Sequence, residues 1–348
     1  VGSFNIKAEY QGDGNFKTSE DTHSHTVNKA ATTTELLDAL GETDYGQDVQ
    51  LTVSVKVDEP GSGIPTGLIG LVIVPGPPVL IVEELPENSS VATVVTNTLR
   101  PGVHGITAWY LGDANFELSI ADPMTHTVKK ADSETSLVSS VNPSAFGQSV
   151  TFTATVEAAG LGLFAPITPT GTVTFTLGTA GTMTGTLDMS GVATVMTDTL
   201  PAGTHQITAE YSGDSSFKPS QDSLRQTVKT IATTTKLDGL VSSAIGDSVD
   251  FTATVSETLS GNLVTEGDVT FYDGVKVLAT IALNGSGQAT YTTSSLAVGL
   301  HPLKAVYNGT VNFQASTSQR LYHTVSTTGS TTTLTSSQNP SVFGQNVT

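Results

Sequence analysis

Seven histidines and a recurring Gly-Asp turn are the residues of this chain whose types suit acid–base or metal chemistry. His104, His205 and His301 stand at one repeated position, shortly before a tyrosine; the first copy of that segment has Phe4 there. His25, His126 and His323 share a second position, which Gln226 takes in another copy. A catalytic or metal site does not survive exchange of imidazole for phenyl or amide, so both positions are expected to be structural. His23 adds a second imidazole on one strand face in "HSH", with no third ligand near in sequence, so zinc is not indicated. Asp13, Asp113 and Asp214 of the Gly-Asp turn are hard oxygen ligands, and calcium at the junctions between repeats is the alternative to a plain turn-forming role. The fourth copy has Thr310 there, and no complete calcium-loop spacing occurs, so no cofactor is expected.

Other chemistry is excluded by absence. There is no cysteine, which removes disulfides, thiol catalysis and thiolate metal sites. No G-x-S-x-G, phosphate-binding loop or H-E-x-x-H is present, and acidic residues vary from copy to copy, which leaves a paired-carboxylate hydrolase without support. No catalytic or metal residue is therefore assigned. A net charge of -18 argues against nucleic-acid binding. The most apolar run, residues 67–82, is interrupted by Pro75, Pro77 and Pro78 and is too short to span a bilayer as a helix. The opening residues lack the pattern of a secretion signal.

The elements that must position these residues follow from a repeat. "AEYQGDGNFKTS", "AWYLGDANFELS", "AEYSGDSSFKPS" and "AVYNGTVNFQAS" place Tyr10, Tyr110, Tyr211 and Tyr307 about 100 residues apart, the size of a whole domain. "YGQDV", "FGQSV", "IGDSV" and "FGQNV" keep the same step around Gly46, Gly147, Gly246 and Gly344, and "LRPGVHGI", "LPAGTHQI" and "LAVGLHPL" precede the later tyrosines. The chain divides into the end of one repeat (1–30), three full repeats (31–130, 131–229 and 230–326; here beads 1, 2 and 3) and the start of another (327–348). It is read as a window on a longer array.

Within a bead the pattern alternates. "SVTFTATVE" sets Val150, Phe152, Ala154 and Val156 on one face and threonines on the other; "GTVTFTLG" does the same with Val173, Phe175 and Leu177. About seven such strands in about 100 residues predict an all-β chain: a tandem array of seven-stranded immunoglobulin-like β-sandwich domains without disulfides. The three motifs in fixed order resemble the bacterial immunoglobulin-like repeats of surface proteins and adhesins. That resemblance implies a non-enzymatic stalk or filament module, extracellular or on a bacterial cell surface. The alternatives are an adhesin that binds sugar or protein through its loops, and an accessory region of a secreted hydrolase. The loop from Ala158, "AAGLGLFAPITP", differs between repeats and is where such binding is expected.

Bead 1 departs from its sisters. With Ile69, Leu71 and Ile73 facing in, Leu68, Val72 and Val74 face out, and Trp109 and Leu111 replace Glu210 and Ser212 on the neighbouring strand. Leu68, Val72, Val74, Trp109 and Leu111 are therefore predicted to form an outer apolar interface, for neighbouring copies of the same chain or other surface proteins.

Overall fold

The alternation is realised directly in the computed structural model, which describes residues 1–75, 79–160 and 167–348. Pro77, Pro78 and the middle of the loop that begins at Ala158 lie outside the described residues. Val150, Phe152, Ala154 and Val156 are at most 1% exposed, while the intervening threonines stay half-buried. One face of each strand thus enters the core and the other meets water.

In bead 2 the strands Ser133–Ser139, Val150–Ala158 and Val192–Thr197 form a three-stranded antiparallel sheet in that order. The second sheet runs Ser144–Ala145, Ser220–Lys229, Gly203–Tyr211, Thr172–Leu177, Thr182–Thr186. Beads 1 and 3 repeat both orders, each with a further two-residue strand, Ser119–Ile120 and Ser316–Thr317, on the second sheet. Each bead closes its own apolar core between its two sheets. Among the described residues no helix is long and apolar enough to cross a membrane.

The first strand differs from the sequence expectation. It is two segments: Ser133–Ser139 pairs in the smaller sheet, and Ser144–Ala145 crosses to pair in parallel with the last strand. Pro143, which has no N–H to donate, marks the crossing. The turn after the crossing explains the "GQ" motif. Gly147 holds a positive φ of 76°, and the Gln148 side chain accepts the Ala145 N–H at 2.9 Å.

The register fixes where the chain enters and leaves a bead. Ala131 bridges Phe217 at one pole, beside the Gly-Asp turn. The last strand then runs antiparallel to Gly203–Tyr211 and ends at Lys229, one residue past Val228, the partner of Gly203, at the other pole. Nine residues at ~3.3 Å each separate the poles by about 30 Å.

At the exit pole the residue before the turn glycine reaches the next bead. Tyr45 of bead 1 meets Phe217 of bead 2 edge-on, ring centroids 6.1 Å apart and planes at 78°. Phe146 of bead 2 meets Phe313 of bead 3 at 5.7 Å and 79°. The second junction adds a hydrogen bond from the Ala202 N–H to Asn312 Oδ1, 3.0 Å. Residues 1–30 form an isolated hairpin, Gly2–Tyr10 with Ser19–Val27. Residues 327–348 contain no strand.

Because Tyr45 packs on the cores of both beads, Tyr45→Ala is expected to lower the stability of bead 2, its neighbour, by about 1 kcal/mol. Denaturant unfolding followed by hydrogen exchange in bead 2 checks this; an effect confined to bead 1 contradicts it.

Candidate functional site

Each histidine of the first repeated position ties the start of its strand to the turn before it. Nε2 of His104, His205 and His301 lies 2.7 Å from the carbonyl of Arg100, Pro201 and Ala297 respectively. The His301 Nδ1 also pairs with Asp273, 2.7 Å away. Burial pushes the His301 pKa down, but the Ala297 carbonyl and the Asp273 carboxylate outweigh it and the net shift is upward.

The second position makes the arrangement closest to a catalytic one. In bead 1, His126 Nε2 is 2.9 Å from the Thr43 hydroxyl and Nδ1 is 2.5 Å from Asp38 Oδ2. A hydroxyl on one ring nitrogen and a carboxylate on the other is the order of a nucleophile–base–acid triad. Yet the side chains of His126 and Asp38 are 0% and 2% exposed, so no substrate reaches the hydroxyl. The sister beads show what the network does. Gln226 fills the same place between Ser144, Ser139 and the Val141 carbonyl. His323 fills it between the Ser243 hydroxyl and the Leu240 carbonyl. All three lock the crossing segment to the last strand. Burial pushes Asp38 up, but the bonds from His126 and from the backbone N–H groups of Leu40 and Gly41 hold its pKa below the usual value. The sequence did not flag Asp38, because Ser139 and Gly239 stand in its place; the hydroxyl at Thr43, Ser144 and Ser243 was the signal available.

Two of the Gly-Asp aspartates, Asp113 and Asp214, have both oxygens committed to donors, while Asp13 accepts the Asn15 and Phe16 N–H groups on Oδ1. Asp113 Oδ1 accepts the N–H groups of Asn115 and Phe116, and Oδ2 accepts the Thr66 N–H and hydroxyl. Asp214 repeats this with Ser216, Phe217 and Thr170. Bead 3 exchanges the partners: Thr310 sits on the turn and donates to Glu266 at 2.8 Å, on the segment where the other beads have threonine. Burial alone would raise the Asp113 pKa, but these donors hold it at about 2. The neighbouring Tyr110 hydroxyl donates to the Thr66 carbonyl at 2.6 Å; burial, then the Asp113 charge, push it up to about 12.

The apolar outer face is assembled as the alternation requires. Ile69, Leu71 and Ile73 are at most 2% exposed, while Leu68, Val74 and Leu111 are exposed and Val72 and Trp109 half-buried. The register sets Trp109 opposite Gly70 on one side and Ile120 on the other. Trp109 lies flat on Gly70: a Cβ there would come within 2.5 Å of the indole. The adjoining edge strand adds Leu80 opposite Val72 and Val82 opposite Gly70, both exposed. Sequence reasoning missed Leu80, Val82 and Ile120. Bead 2 carries Thr172, Thr174, Thr176, Thr182, Thr184 and Thr186 on the corresponding strands.

Two outcomes follow. The folded Asp113 pKa lies below the unfolded value, so its contribution is complete above about pH 4 and is lost as pH falls toward about 2. Partial solvent exposure reduces that contribution to about 1 kcal/mol. Asp113→Asn should flatten this part of the acid melting profile of bead 1; an unchanged profile contradicts the assignment. Gly70→Val should displace the indole, red-shift the emission of the single tryptophan and cost about 1–3 kcal/mol; unchanged emission contradicts the packing.

Comparison with known proteins gives one family and several distant folds. The family described as bacterial Ig-like domain (group 3) matches residues 37–129, 137–229 and 239–326. Among solved structures the chain is similar to the ICAM-5 D1–D4 ectodomain fragment, with 15% identity, TM-score 0.35, and coverage of 93% of this chain and 83% of that one. It is also similar to domains A168–A170 of titin, with 11% identity, TM-score 0.32, and coverage of 84% and 97%. Scores this low say nothing about function. No curated protein matches the chain.

Proposed function

The chain belongs to the bacterial Ig-like domain family, group 3, and on that premise we propose that it is a structural module of a secreted or cell-surface bacterial protein. It serves as a spacer and carries a self-association surface on bead 1, centred on Leu68, Val72, Val74, Trp109 and Leu111. It performs no catalysis and needs no cofactor. Its partners are neighbouring copies of itself.

The observation that supports this most is the path of the chain. Each bead is entered at one pole and left at the other, and the same aromatic contact closes both junctions. Such beads add length rather than enclosing a common cavity. The buried Thr43–His126–Asp38 network fits this reading, because it holds a strand and faces no solvent.

Ligand binding through loops is the second reading. One observation favours it: an open groove of about 660 Å³ in bead 1, lined by Glu35, Lys56, Asp58, Ser62, Ile64 and Ser90. Its mixed charge and hydroxyl lining suits a polar ligand.

Three beads in series should span on the order of 100 Å. Small-angle scattering is expected to give a maximum dimension of that order, unchanged by a calcium chelator. A compact particle overturns the spacer reading, and shortening on chelation returns calcium to the junctions.

A further inference from the structure

The apolar face of bead 1 has a counterpart in bead 3. On the outer face of the larger sheet of bead 3, Tyr272 stands between Val277 and Lys304, and Pro302 stands opposite Tyr322. Val277 is 54%, Tyr322 53% and Leu300 62% exposed. The Lys304 ammonium sits 4.8 Å from the Tyr272 ring centroid, so this face presents aromatic surface with a positive charge at its middle. Bead 2, between them, has threonines together with Gln206 and Glu210 on its outer face. Two of the three beads therefore carry an apolar outer face, and these two are unlike each other.

We propose that the outer face of bead 1 docks on the outer face of bead 3 of a second copy of this chain. The proposal deepens the self-association reading above and rests on it. Area is the first support. The half-exposed and exposed side chains of bead 1, with Trp109 among them, offer several hundred Å² of apolar surface, approaching the ~800 Å² per partner of a stable contact.

Charge is the second support, and it selects the partner face. Glu84 lies beside Leu68 on the bead 1 face, and Asp122 lies exposed shortly after Ile120. Pairing bead 1 with bead 1 sets acidic rim against acidic rim, in a chain that already carries a net charge of -18. The bead 3 face has Asp268 at one end of its strand but sets Lys304 in the middle, beside Tyr272. A contact between two different faces is heterologous, so a pair of copies keeps one free face of each kind and association continues beyond two.

Sedimentation velocity of the 348-residue chain, from about 1 to about 200 μM, tests this. Leu80→Glu removes the bead 1 face and Tyr322→Glu the bead 3 face; both positions are more than half exposed, and circular dichroism verifies that the sheets persist. The wild-type chain is expected to pass beyond dimers as concentration rises. Each variant alone should need at least about tenfold more protein to associate. An equal mixture of the two should form dimers and stop there, because one retains the bead 3 face and the other the bead 1 face. Association of either variant by itself at wild-type concentrations overturns the pairing and leaves self-association standing. A wild-type chain that stays monomeric throughout overturns both.

Discussion

Two sheets in every bead are held together without a disulfide, chiefly by side-chain packing, since the chain has no cysteine to bridge them. Everything else in the structure accommodates that constraint. The inner faces must be filled with large apolar side chains: Phe152, Phe175, Tyr211 and Phe217 are fully buried in bead 2. A buried tyrosine brings a hydroxyl into the core, and the fold meets the cost by giving that hydroxyl a backbone carbonyl in all three beads. Most polar groups that remain inside are paired in the same spirit, His104 Nδ1 being the exception among the described residues. The histidines staple turns, and the Thr43–His126–Asp38 set fastens the crossing segment to the last strand.

The same residues serve the core and the array. Phe217 covers the open pole of bead 2, and its edge receives Tyr45 from bead 1; Phe146 and Phe313 repeat the arrangement one bead later. A turn that closes one domain is therefore also the socket for its neighbour. Short linkers with such sockets are what the spacer role proposed above would use. The outer faces are free of that duty, and they are where the beads diverge: apolar in bead 1, threonine-rich in bead 2, aromatic with a lysine in bead 3. Uniform cores with divergent faces are consistent with the proposed division between a shared spacer frame and contacts on particular beads.

What the sequence by itself determined is whatever depends on local period or on comparing one repeat with the next. Alternation put Ile69, Leu71 and Ile73 inside and Leu68, Val72 and Val74 outside, because successive side chains of a strand point to opposite faces. Exchange of His for Phe4 or Gln226 between copies pointed to a structural place for the histidines, and in the three full beads their ring nitrogens bond turn carbonyls and neighbouring side chains. What only the tertiary structure decided are the meetings of residues far apart in the chain. Asp38 and His126 come together because two different sheets face each other, and no period links them. Thr310 takes the place of Asp113 without loss because Glu266, on another strand, supplies the carboxylate. Leu80 and Val82 join Trp109 on one face through pairing across a third strand. Tyr45 reaches Phe217 because the register sends the chain out at the pole opposite its point of arrival. Local pattern decides which way a side chain points; only the packing of the sheets decides what it meets there.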